Sequence, residues 1–152
     1  PWEPNNSFGQ AFGPLASGQT YRAYISSSGD KDYYRISIES LDPVTVLLRD
    51  IGSGVDYDLY FYNANYVEIA RSAGGPGQDE EIIYHPTATG TYYILVWSPT
   101  GSFDPFDEYQ LTVTFGPPPT PPTETPASAP PTETPTVTVT ATATVTSTTT
   151  VR

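Results

Sequence analysis

Val55-Asp-Tyr-Asp-Leu-Tyr-Phe-Tyr62 alternates in character with a period of two. In an extended chain it sends Val55, Tyr57, Leu59 and Phe61 to one face and Asp56, Asp58, Tyr60 and Tyr62 to the other. An apolar face backed by a polar one predicts a half-buried antiparallel strand, with Asp56 and Asp58 on its solvated side. The link Asn63-Ala-Asn65 then returns the chain into Tyr66-Val-Glu-Ile-Ala-Arg71 as a hairpin. The same punctuation recurs on either side. Thr20–Ser26 is followed by the turn Ser27-Ser-Gly-Asp-Lys31. Asp32–Ser40 points Tyr34, Ile36 and Ile38 inward, and Val44–Asp50 follows Pro43. Downstream come Glu81–His85, ended by Pro86, then Thr91–Ser98 and Glu108–Phe115. Eight short strands, turn signals between them and almost no helical periodicity predict an all-β fold, an antiparallel β-sandwich.

Past Gly116 the composition changes. The last 36 residues hold nine of the seventeen prolines and fourteen threonines, and no aromatic residue. Three segments are therefore expected: a sandwich domain over 1–115, a Pro/Thr-rich spacer over 116–135, and a strand-like tail over 136–152. The spacer repeats Pro121-Pro-Thr-Glu-Thr-Pro126 as Pro130-Pro-Thr-Glu-Thr-Pro135. Proline fixes φ and removes a donor, so an extended polyproline-like segment is predicted there. In the tail every even position from Thr136 to Thr150 is threonine, while Val137, Val139, Ala141, Ala143 and Val145 occupy odd ones. Such alternation predicts a β-strand of ~55 Å at ~3.3 Å per residue, with one hydroxyl face and one small-apolar face. Alone it has nothing against which to bury that apolar face. Insertion into a neighbouring copy, with those five residues in the contact, would bury it. Dense Thr with Pro is also the composition of O-glycosylated stalks. That assigns Thr123, Thr125, Thr132 and Thr134 of the spacer, and Thr138, Thr140, Thr142 and Thr144 of the tail, as carriers of O-linked sugar.

The formal net charge is −11. A surface of that sign repels nucleic acid and anionic lipid, so neither is expected as a partner. Without cysteine the chain has neither a disulfide framework nor a thiolate metal site. No apolar run reaches the length of a membrane span. A chain that opens on Pro1 and contains no methionine is expected to be a processed or excised product. Together with the Thr/Pro-rich tail this predicts an extracellular or cell-surface location.

Several segments carry a resemblance: Glu3-Pro-Asn-Asn-Ser7, Gly29-Asp-Lys-Asp-Tyr-Tyr34, Asp56-Tyr-Asp-Leu-Tyr60, Thr89-Gly-Thr-Tyr-Tyr-Ile94 and Tyr109-Gln-Leu-Thr-Val113. In this order they resemble the bacterial pre-peptidase C-terminal domain, which is similar to the collagen-binding domains of clostridial collagenases. The resemblance spans about residues 2–115 and none of the tail. It implies a jelly-roll-like sandwich, in most cases an accessory domain of a secreted enzyme. It also implies a calcium site at Glu3, Asn5, Asn6, Asp30 and Asp32. Their oxygens suit calcium, which takes six to eight ligands from carboxylates, amides and carbonyls. Asn and Asp are equally common as plain turn residues, which gives these positions a local alternative. Asn5-Asn-Ser7 reads in addition as an N-glycosylation sequon.

Nothing assembles a catalytic set. Asp56 and Asp58 stand two apart on one strand, whereas a glycosidase needs carboxylates facing each other across a cleft. His85 is the sole histidine and reads as a surface residue. Tyr57, Tyr60, Tyr62 and Tyr66 read as packing on half-exposed sheet, with a sugar- or protein-binding face as the alternative. Trp2 is expected to anchor the N-terminal arm to the sandwich. The chain is thus expected to be no enzyme. Its tail predicts a secreted, O-glycosylated filament subunit that polymerises with its own copies by strand insertion. The alternative, which the resemblance favours, is a substrate- or surface-binding accessory domain of a secreted hydrolase with a glycosylated linker.

Overall fold

The computed structural model describes residues 2–116, which fall within one compact unit, Pro1–Thr120. The spacer beyond Gly116 and the tail strand lie outside the described residues. So do the five assembly positions Val137, Val139, Ala141, Ala143 and Val145, and the eight threonines assigned to sugar. Eight strands follow one short 3-10 turn, Phe8–Gln10. They are β1 (Thr20–Ile25), β2 (Lys31–Ile38), β3 (Val44–Arg49), β4 (Asp58–Tyr62), β5 (Glu68–Ser72), β6 (Glu80–Tyr84), β7 (Gly90–Trp97) and β8 (Asp104–Thr114). All eight are antiparallel to their neighbours, in two four-stranded sheets ordered β1-β8-β3-β6 and β2-β7-β4-β5. Every connection but the β4–β5 hairpin crosses from one sheet to the other. That winding is a jelly roll.

The inward faces meet in one core. β2 contributes Tyr34, Ile36 and Ile38, as the alternation predicts, and β7 adds Tyr92, Ile94 and Val96. Val44, Val46 and Leu48 of β3 face them with Tyr109, Leu111 and Val113 of β8. β4 departs from expectation. It begins at Asp58 rather than Val55, and both of its faces are covered: Asp58, Leu59, Tyr60 and Phe61 are all buried. It lies between β7 and β5, and the outer face of its sheet carries large side chains that shield one another. Even Leu95, which points outward beside Tyr33 and Tyr60, keeps only 4% of its surface. Asp58 is therefore not on a solvated face. Burial raises its carboxyl, while the Tyr60 hydroxyl donates to it at 3.0 Å and pulls the other way.

β2 would leave a row of unpaired main-chain groups at the sheet edge, and the N-terminal arm covers it. Tyr33 N–H donates to Asn5 O, Phe12 N–H to Tyr33 O, Arg35 N–H to Phe12 O and Leu15 N–H to Arg35 O, each at 2.9 Å. Gly13 is required at this close approach: its φ is +134°, and a Cβ there would run into the Arg35 carbonyl oxygen. Trp2 anchors the start of the arm as expected. Its ring lies 4.2 Å from that of Phe12, and its Nε1–H donates to Arg22 O at 3.0 Å.

Candidate metal centre

Two segments distant in sequence meet where the arm passes the start of β2. The turn before β2 supplies Asp30. Its Oδ2 accepts the Ser26 N–H at 2.7 Å and the Ser26 hydroxyl at 2.6 Å, and its Oδ1 accepts the Lys31 N–H at 2.9 Å. Period-two geometry then turns Asp32 to the same side as Tyr34, so its carboxylate enters the sandwich at the rim of the core and is almost completely buried. The arm supplies Glu3, whose Oε2 accepts the Asn5 N–H at 2.9 Å and the Asn6 Nδ2–H at 3.0 Å. Carboxylate oxygens of Glu3, Asp30 and Asp32 come within 4.8 Å of one another.

Three carboxylates this close repel one another, and among the described residues no side-chain cation is paired with them. Among the described residues the ion pairs are Arg22–Glu108, Arg49–Asp79 and Arg71–Glu68. The Lys31 ammonium lies over the Trp97 ring instead, 4.8 Å from its centroid. Burial pushes the Asp32 carboxyl up to about 7, the Tyr109 hydroxyl and the Asn5 amide nitrogen work against this, and the charges of Asp30 and Glu3 push it further up. Tyr109 in turn shares a 2.7 Å hydrogen bond with the Tyr34 hydroxyl, so two phenols inside the core orient one face of Asp32.

Asn5 decides whether the set suits an ion. It is fully buried and its side-chain oxygen has no hydrogen-bond partner, while its side-chain nitrogen faces the Asp32 carboxylate without completing a well-formed hydrogen bond. An unpaired buried amide oxygen costs about 1–3 kcal/mol, so such groups are rare without a reason. Three carboxylates, one orphaned amide oxygen and no nitrogen or sulfur ligand fit a hard divalent cation of the calcium type. Bound there, it would offset the clustered charge and give the Asn5 oxygen a partner. The arrangement positions and stabilises.

The sequence-derived set is thus brought together unevenly. Glu3, Asp30 and Asp32 converge and Asn5 lies buried beside them. Asn6 holds Glu3 with its nitrogen and accepts the Lys31 N–H on its oxygen at 3.3 Å. In the folded domain the Asn5 amide is buried and presents no open surface to a glycan. Tyr109, Tyr34 and Ser26 were not legible as members of this site. Tyr109 was readable only as an inward residue of a strand, its hydroxyl being the one hint of a polar role. His85 is exposed beyond the end of β6, as expected. Of the four tyrosines grouped by sequence, Tyr57 enters the core, and its hydroxyl accepts the Asp104 N–H at 2.9 Å. Tyr60, Tyr62 and Tyr66 lie on the outer side of the sheet.

The model of the bacterial pre-peptidase C-terminal domain family matches residues 30–98, from the turn before β2 to the end of β7. Among solved structures, the pre-peptidase C-terminal domain of a collagenase from Bacillus anthracis is similar, with 14% identity, 66% of this chain and 91% of that one covered, and a TM-score of 0.55. Weaker similarity extends to Aeromonas hydrophila PliG, a periplasmic inhibitor of g-type lysozyme (16% identity, 68% of this chain and 90% of that one, TM-score 0.46). It extends also to the Yersinia pseudotuberculosis-derived mitogen (13%, 67% and 88%, TM-score 0.48). At 14% identity the likeness to the collagenase domain is one of fold. The family match leaves Glu3, Asn5 and Asn6 outside its bounds, so the arm's part in the site rests on geometry alone.

Proposed function

We propose that this chain is a non-catalytic extracellular module, an accessory domain of a secreted protein, whose N-terminal arm is tied to the sandwich by a calcium ion. The observation that carries this reading is the convergence of Glu3, Asp30 and Asp32 beside the unpartnered amide oxygen of Asn5. An ion shared between arm and β2 joins residues 27 positions apart and fixes the point at which a preceding or neighbouring segment would join the sandwich. Calorimetric titration of the full chain with calcium tests the reading. One ion per chain is expected, with binding abolished in Asp32→Asn; no heat of binding in the wild type would refute the site.

A second reading has its own support in the alternation of Thr136 to Val151. In it the chain is the subunit of an extracellular filament, each tail inserting its small-apolar face into the next copy, with O-linked sugar on the threonines. Head-to-tail contacts of that kind propagate unless rotation closes them into a ring. The two readings share the sandwich and the ion and differ only in what the tail does.

A further inference from the structure

Phe8 lies on the outer face of the β2-β7-β4-β5 sheet, boxed by four tyrosines from four parts of the fold. Its ring centroid is 4.7 Å from Tyr33 (β2), 5.1 Å from Tyr62 (β4), 5.4 Å from Tyr93 (β7), all edge-on, and 4.4 Å from Tyr66 in the β4–β5 hairpin, which stacks on it. Aromatic pairs in these arrangements attract beyond the area they bury. Nothing else about the 3-10 turn that carries Phe8 explains why it stays down. The turn has three residues, none of them buried, and no side-chain cap. The arm is thus held at three places: by Trp2 on Phe12 and the Arg22 carbonyl, by main-chain bonds at the edge of β2, and by one ring on the face of the sheet.

We propose that residues 2–12 form a strap in which Phe8 and the cation act together: the ring in its tyrosine box positions Glu3 and Asn5 for the ion, and the ion in turn keeps the box closed. This rests on the calcium reading above. Phe8 has no ligand atom and is a positioning residue. It acts by restricting the arm to the conformation in which Glu3 and Asn5 face Asp30 and Asp32. If the binding-competent arm falls from nearly full occupancy to about a tenth, the apparent dissociation constant rises by the same tenfold. Linkage makes the effect reciprocal, so removing the ion loosens Phe8 by the same factor. With the strap open, Tyr33, Tyr62 and Tyr93 would become an exposed aromatic platform beside Arg35, whose guanidinium is otherwise turned to the Gly13 carbonyl at 2.6 Å.

The test uses the full chain and two readouts. Calcium titration of Phe8→Ala should show about tenfold weaker binding than wild type with unchanged stoichiometry, and Phe8→Tyr should restore most of it. Hydrogen exchange in chelator reads the strap without the ion. The amides of Tyr33 and Arg35, which donate to Asn5 O and Phe12 O, should lose protection in Phe8→Ala while those of Ile94 and Leu111 in the core keep theirs. Phe8 lies outside the core, and Phe8→Leu is a milder second variant should the alanine form be unstable. Equal affinity and equal protection in wild type and Phe8→Ala would overturn the coupling and leave the ion site standing. Absence of calcium binding by the wild type would overturn both.

Discussion

At the scale of the residue, Asp32 carries the most consequence. Its folded-state carboxyl titrates at about 7, against about 3.9 in an unfolded chain, because the fold desolvates it. A raised value means that the metal-free native state holds the proton more tightly than the unfolded state does. The associated stability is full below about pH 4 and is lost as pH rises through 7. Chelated wild type should therefore lose stability relative to Asp32→Asn between those limits, which melting curves of the two at stepped pH will read. Parallel curves would contradict the assignment. Tyr109 is the second residue of note. Tyr109→Phe deletes the donor to Asp32 and strands the Tyr34 hydroxyl, at a cost of about 1–3 kcal/mol in urea unfolding. The identities of Asp30 and Asp32 as partners of the arm were legible through the family resemblance. The phenol chain behind them was not, because alternation says which way Tyr109 points and nothing about what its hydroxyl meets. Asp58 was misread for a related reason. A period of two separates faces but does not tell which of them is covered, and here Tyr60, Leu95 and Trp97 close over the face assigned to water.

At the scale of the element, the strands were legible because each is bounded by residues whose backbone demands are strong. Examples are Gly29-Asp30 before β2, Pro43 before β3, Asn63 to Asn65 within the hairpin and Pro86 after β6. The arm was not legible as an edge cover. Its residues show no alternation, since its main chain, rather than a repeating side-chain face, does the pairing with β2. Gly13 is where this pairing is tightest. Gly13→Ala is expected to lower stability by more than about 1 kcal/mol, from both its positive φ and the approach to the Arg35 carbonyl. The reading is a lowered midpoint together with faster exchange of the Arg35 amide. A midpoint equal to that of wild type would show that the arm does not pack as described.

For the whole molecule, the described residues form two sheets wound as a jelly roll, with an acidic cluster where the N-terminal arm meets β2. The strand count was legible from turn spacing. The winding β1-β8-β3-β6 and β2-β7-β4-β5 was not, since spacing does not choose among sandwich topologies and the family resemblance alone pointed to the jelly roll. The filament reading makes its own prediction at this scale. Filaments of the wild type should be absent by electron microscopy from a chain truncated after Pro135 and from an Ala141→Asp, Ala143→Asp double variant, whose two charges would enter a dry slot. Filaments persisting in both would leave the accessory domain as the sole reading. The central claim, that a divalent ion ties the arm to the sandwich, is tested most directly by thermal unfolding of the full chain at pH 7.5 in excess chelator and in saturating calcium. Binding to the folded state alone adds about 2.7 kcal/mol at a hundredfold excess over Kd. That should raise the midpoint by several degrees, an increment that Asp32→Asn should lack. Superimposable curves in chelator and calcium would contradict the claim.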